Sequence, residues 1–102
     1  MARYQWDQTK NAWLLRYRGI SFDQILWHIA EGHLLDVLIS GKPRYQGQKQ
    51  FVVNVQGYAY LVPFVEEGDV IVLKTIIPSR KLTRQYLRKG AGGDGATESR
   101  GT

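Results

Sequence analysis

The 102-residue chain can bury one modest core and is too short for two. It has no cysteine, which excludes a disulfide scaffold, a thiolate metal site and a cysteine nucleophile. A formal charge of +5 points to an acidic partner, nucleic acid or an acidic protein, without choosing between them.

The first residues, MARYQWDQ, lack the apolar segment of a secretory signal. No later run approaches the roughly eighteen apolar residues that span a bilayer. A cytoplasmic protein without a membrane role is the expectation. Residues 3–6 suit a short strand, and Asp7 suits the N-cap of a helix over 8–17 that stops at Gly19. On that helix Trp13, Leu14 and Tyr17 share an arc, with the Lys10 stem along the aromatics. Ser21 caps a second helix over 22–31, ended by Gly32, with Phe22, Ile25, Leu26 and Ile29 as its apolar arc. Trp27 falls on the opposite side, either as a second buried contact or as part of a partner interface.

Residues 34–39 form a short apolar run broken only by Asp36, and at that length periodicity leaves strand and helix open. The polar loop SGKPRYQGQK carries Lys42, Arg44, Tyr45 and Lys49. Three strands follow, over 50–56, 58–65 and 70–77, the first with Phe51, Val53 and Val55 on one face. Gln56-Gly57 reads as a tight turn. A meander would make the strand over 58–65 central, yet Pro63 inside it cannot donate to a ladder, which calls for a bulge or an open edge there. Residues 78–79, Pro-Ser, open a last helix that docks through Leu82, Tyr86 and Leu87. From position 90 the glycine-rich run has nothing to bury and reads as a disordered tail. The sum is an α+β fold: one domain over 1–89, with two N-terminal helices, an antiparallel sheet of three to four strands, a single helical layer and a C-terminal helix.

The chemistry concentrates in KTIIPSRKLTRQYLRK, residues 74–89, which holds six of the fourteen basic residues and no acid. At four-residue spacing Arg80, Arg84 and Arg88 make a guanidinium ladder with Lys81 beside it. Such a row is either a solvated face or a polyanion site. Lys74 sits in an apolar strand, so its stem must cross an apolar surface. His28 and His33, five apart, have no carboxylate in a metal-ligand pattern and read as structural. No metal or cofactor is expected, and phosphate-loop, dinucleotide and nucleophile-elbow motifs are missing.

Two separated segments resemble the BrnT-type toxins. Tyr4, Trp6, Asp7, Lys10, Gly19, Ile20, Ser21, Phe22 and Asp23 are similar to the family's opening, and IIPSRKLTRQY to its closing motif, with Arg80 and Arg84 on its two arginines. The resemblance runs from residue 3 to about 88. Tyr17-Arg18 stands where the family has Lys-His, Leu82 where it has Ala, and Gln85 where it often has Glu. The resemblance implies a RelE-like fold and the toxin role in a bacterial type II toxin–antitoxin pair. It also implies a small antitoxin with a DNA-binding part, joined to the chain as a hetero-oligomer.

The implied activity is a metal-independent endoribonuclease, an mRNA interferase that blocks translation through attack of a 2′-OH on the adjacent phosphate. Arg80 and Arg84 then clamp phosphate, Lys74 serves as base, and Tyr86, Tyr45 or His28 protonates the leaving oxygen. Lys81, Arg88, Arg16, Arg18, Arg44 and Tyr45 extend the RNA-binding set. Trp27, Arg84 and Arg88 face the antitoxin. The alternative is a catalytically impaired basic module that retains antitoxin or RNA binding.

Overall fold

The computed structural model describes residues 3–39 and 48–88. Arg44, Tyr45 and the glycine-rich tail lie outside the described residues. In chain order the elements are β1 (Arg3–Gln5), α1 (Gln8–Arg18), α2 (Phe22–Ala30), β2 (Leu34–Ile39), β3 (Lys49–Val55), β4 (Tyr58–Glu67), β5 (Val70–Leu73), β6 (Ile77–Pro78) and α3 (Arg80–Thr83). A π-helical turn, Arg84–Arg88, continues α3. No described helix is long and apolar enough to cross a membrane.

The helix starts follow from their caps. The Asp7 carboxylate accepts the N–H groups of Thr9 at 2.8 Å and Lys10 at 3.4 Å. Ser21 and Gln24 form a reciprocal capping box that opens α2. Gly19 ends α1 in the left-handed region, at φ 70°, where a Cβ would add strain. Residues 34–39 resolve as a strand.

The α+β class holds, but the sheet departs from the expected three to four antiparallel strands. It has six, with the main order β1-β5-β4-β3-β2 and β6 paired to β4. β1 runs parallel to β5, Arg3 opposite Val70, so the sheet is mixed. β4 is central, as a meander requires. The turn between β3 and β4 puts both Gln56 and Gly57 at positive φ, the geometry that matches strand twist in a two-residue hairpin. The Asn54 carboxamide closes it by accepting the Gly57 N–H at 2.8 Å.

Pro63 explains a second departure. The strand expected over 70–77 is broken into β5 and β6, with residues 74–76 between them. The Pro63 carbonyl accepts the Lys74 N–H at 2.8 Å, so Pro63's backbone faces that side of β4. A strand residue turns its N–H and C=O the same way. The donor that proline lacks is therefore missing where β4 changes neighbours. The side is not an open edge: β4 pairs with β5 at Phe64–Leu73 and with β6 at Leu61–Ile77, and the one-residue slip between them is a bulge in the neighbouring strand opposite Pro63.

Leu14, Ile20, Phe22, Ile25, Phe51, Val53, Val62, Phe64, Leu73 and Ile76 form one buried cluster between α1, α2 and the sheet. Each fully buried aliphatic or aromatic side chain there contributes about 1.5–3 kcal/mol relative to exposure. Phe51 and Phe64 stack at 4.1 Å. The Trp6 indole packs on Phe22 with its N–H buried and unpartnered.

The expected single helical layer is corrected. Val52 is opposite Leu61 and Asp36, so these three share the face turned away from Phe51 and Val53. The Tyr86 hydroxyl reaches Asp36, which places the π turn over that second face. Buried Thr83 anchors α3 to the sheet: its hydroxyl accepts the Ala59 N–H at 2.8 Å and donates to the Ser79 carbonyl at 2.7 Å. The expected docking set of Leu82, Tyr86 and Leu87 is only half-buried. The fully buried contact is a threonine.

Candidate nucleic-acid interface

The described basic side chains of the stretch are exposed, and Lys89 lies outside the described residues. Lys74, Arg80, Lys81, Arg84 and Arg88 all face solvent, and none pairs with a described carboxylate. The one ion pair among the described residues is Lys49–Glu66, at 2.9 Å. Ser79 opens α3 by accepting the Leu82 N–H at 3.1 Å, so Arg80 leaves the backbone at a fixed first turn. The ladder is straight only in part. Arg80 and Arg84 are one α-turn apart, whereas Arg88 lies in the π turn, where four residues fall short of a full rotation.

A contact from the other end of the chain meets this stretch. The Arg18 guanidinium, at the end of α1, donates to the carbonyl of Ile76, 58 positions away. Ile76 lies between Lys74 and the start of α3. The hydrogen bond therefore ties the last turn of α1 to the segment that delivers Arg80. Lys74 was expected in a strand, with its stem crossing an apolar surface. It stands instead in the break after β5, exposed, with only its backbone N–H engaged.

Tyr86 is held. Its hydroxyl donates to Asp36 Oδ2 at 2.6 Å, and that hydrogen bond, ahead of burial, pushes the phenol up to about 12. The same bond, with the Val37 N–H second, holds the Asp36 carboxyl below the usual carboxylate range. Neither partner was legible as a pair in the sequence, since they come from β2 and the π turn.

Trp27 is 57% exposed, so of the two readings left open for it the second buried contact is ruled out. It lies over the core-side face of the sheet, while Arg84 and Arg88 belong to the turn over the other face. Beside Trp27, His28 and His33 meet with Nδ1 atoms 3.1 Å apart, because the turn after α2 folds His33 back under the helix end. Burial first, then the His33 charge, holds His28 below the usual imidazole value, with Glu31 opposing. Five-residue spacing on a helical wheel hides such a pair. No group of three potential metal ligands occurs among the described residues.

The sharpest departure is on α1. Leu14 alone turns fully inward, while Trp13 is 43% and Tyr17 64% exposed. Their rings meet at 5.3 Å and 43°. Lys10 Nζ lies 4.9 Å and Arg18 Cζ 5.4 Å from the Trp13 ring centre, and Arg16 Cζ lies 5.6 Å from that of Tyr17. The expected placement of the Lys10 stem holds. The shared arc does not: the aromatics sit one step round the helix from Leu14, with cations for neighbours. An i, i+4 aromatic pair on a helix with three cations and no acid was the available signal.

The chain matches no protein-family model, no curated protein and no solved structure. Its site has to be read from its own chemistry.

Proposed function

We propose that the chain is the toxin of a type II toxin–antitoxin pair, a RelE-like endoribonuclease of the BrnT type that acts on RNA in the cytoplasm and is neutralised by a small antitoxin with a DNA-binding part. The observation that carries this reading is the Arg18–Ile76 hydrogen bond. It joins the two segments on which the resemblance rests, and it does so beside cations that no described acid neutralises.

The reaction needs little beyond such a surface. The 2′-OH gives its proton to Lys74 as base and attacks the adjacent phosphorus, the bond to the 5′ oxygen breaks, and that oxygen takes a proton from Tyr86. A cyclic phosphate and a 5′-hydroxyl result. Arg80 and Arg84 present planar forks to the non-bridging oxygens, where charge builds in the transition state. Losing one such donor costs about 2.7–4 kcal/mol of transition-state stabilisation. Lys81 and Arg88 hold flanking phosphates, and Arg16 and Arg18 extend the surface along α1. Metal chemistry has no role in this scheme.

A second reading has one specific observation in its favour. Tyr86, the proton donor in the scheme, is committed to Asp36 and is a poor acid with its value near 12. A module that binds RNA or antitoxin without cutting needs no free Tyr86.

Inducible expression in a bacterial host separates the two. The parent arrests growth and leaves RNA fragments with 5′-hydroxyl ends. Arg80→Ala abolishes both, and Arg80→Lys restores little, because one ammonium cannot replace a planar fork. An Arg80→Ala chain as toxic as the parent at equal expression puts the site elsewhere. A parent that binds RNA but neither arrests growth nor cuts establishes the binding module.

A further inference from the structure

We propose that the outer face of α1 is a stacking site for unpaired bases, with Trp13 and Tyr17 as the two ring faces and Lys10, Arg16 and Arg18 as contacts to the flanking phosphates. The inference rests on the RNA-directed reading above and adds the form of RNA that is bound: a single strand, held base by base.

The helix anchors itself through Leu14 and leaves Trp13 and Tyr17 in solvent. Their packing does not explain them, since they belong to the periphery of no buried cluster. At 43° the two rings are tilted, not stacked flat on one another, so each retains a face for a planar ligand. The cations decide the class of occupant. Between positions 8 and 18 the helix carries Lys10, Arg16 and Arg18 and no acid. Each of these cations lies within 6 Å of a ring centre. A π face and a positive charge a few ångströms apart match the two parts of a nucleotide, the base and its phosphate.

The cations already resting on the rings do not block the site. An exposed cation–π contact is worth about a two- to fivefold preference, while one stacked base contributes on the order of tenfold to a hundredfold in affinity. A base therefore displaces the cation, and the displaced cation meets the phosphate that the base brings. Duplex RNA hides its bases in the stack and offers only phosphates. An acidic protein segment offers charge but no planar face. The Arg18–Ile76 hydrogen bond also joins this face to the segment just ahead of α3. Bases stacked on α1 can thus continue toward Arg80.

The test is fluorescence anisotropy with a labelled ten-nucleotide RNA, single-stranded or annealed to its complement. It uses the parent, Trp13→Ala/Tyr17→Ala, Trp13→Phe/Tyr17→Phe and, separately, Arg80→Ala/Arg84→Ala. Thermal melting confirms that each variant folds, as exposed positions allow. The parent should bind the single strand at least tenfold tighter than the duplex. The alanine pair should lose tenfold or more on the single strand and little on the duplex, with an unchanged salt slope. The phenylalanine pair, which keeps both rings, should retain most of the affinity. If the parent binds RNA through Arg80 and Arg84 but the alanine pair binds as well as the parent, the stacking site is wrong and the functional reading survives. If the parent binds no RNA, both fall. Equal dependence of poly-glutamate binding on Trp13 and Tyr17 overturns the proposal in favour of an acidic protein.

Discussion

The two faces of the central sheet are closed by different chemistry. On one, α1 and α2 press Leu14, Phe22 and Ile25 onto Phe51, Val53 and Val62, an apolar contact with few polar atoms inside. On the other, four residues of α3 and the π turn cover Val52 and Leu61, held by two polar links, Thr83 to Ala59 and Tyr86 to Asp36. The first face stores most of the stability. The second positions the arginines. A short element with little apolar area depends on directional bonds, and such bonds fix orientation better than they add free energy.

The contrast breaks most visibly at Ile25, which is fully buried. Ile25→Ala should cost about 2–5 kcal/mol through lost transfer energy and the cavity left behind. In a domain of this size the loss lowers Tm by roughly 10 °C or more, read by calorimetry or circular dichroism. Thr83→Val conserves shape on the second face but strands the Ala59 N–H. The expected cost is about 1–3 kcal/mol, with the loss of RNA-directed activity exceeding what the small drop in folded fraction explains.

Tyr86→Phe should have the smallest effect, and one confined to a pH window. Asp36 has its value depressed in the fold, so its contribution is present above the ordinary carboxylate range and lost as pH falls through it. Tyr86 is raised to about 12, so its contribution is present below the usual tyrosine value of about 10 and lost between there and 12. Parent and Tyr86→Phe should therefore differ in denaturant midpoint across the neutral range and converge at both extremes. A difference that does not shrink as pH falls below the ordinary carboxylate range contradicts the bond.

Local signals in the sequence carried much of the first face. Asp7, Ser21 with Gln24, and Gly19 are caps whose side chains act within a few residues, and the i, i+3, i+4 arc of α2 names its own buried side. Gln56-Gly57 and Pro63 are equally local, the one through positive φ and the other through a missing donor. What stayed hidden depends on distant partners. The parallel pairing of β1 with β5 leaves no trace in a three-residue strand. The break at 74–76 follows from which strands flank β4, and the Arg18–Ile76, Tyr86–Asp36 and His28–His33 contacts exist only once the chain has closed. At the site, the exposed cations of the last helix were legible from spacing. The aromatic face of α1 was not, because a helical wheel groups Trp13 with Leu14 and says nothing of how wide the covered arc is.

The central claim is that the surface carrying Arg80 and Arg84 binds RNA through its phosphates. Its most direct measurement is the salt dependence of single-stranded RNA binding by the parent and by Arg80→Ala/Arg84→Ala. Each lost phosphate contact should flatten the log–log slope by about 0.7, so the double variant should fall short of the parent by roughly 1.4 while melting at the same temperature. A double variant with the parent's slope and affinity, at unchanged stability, contradicts the account.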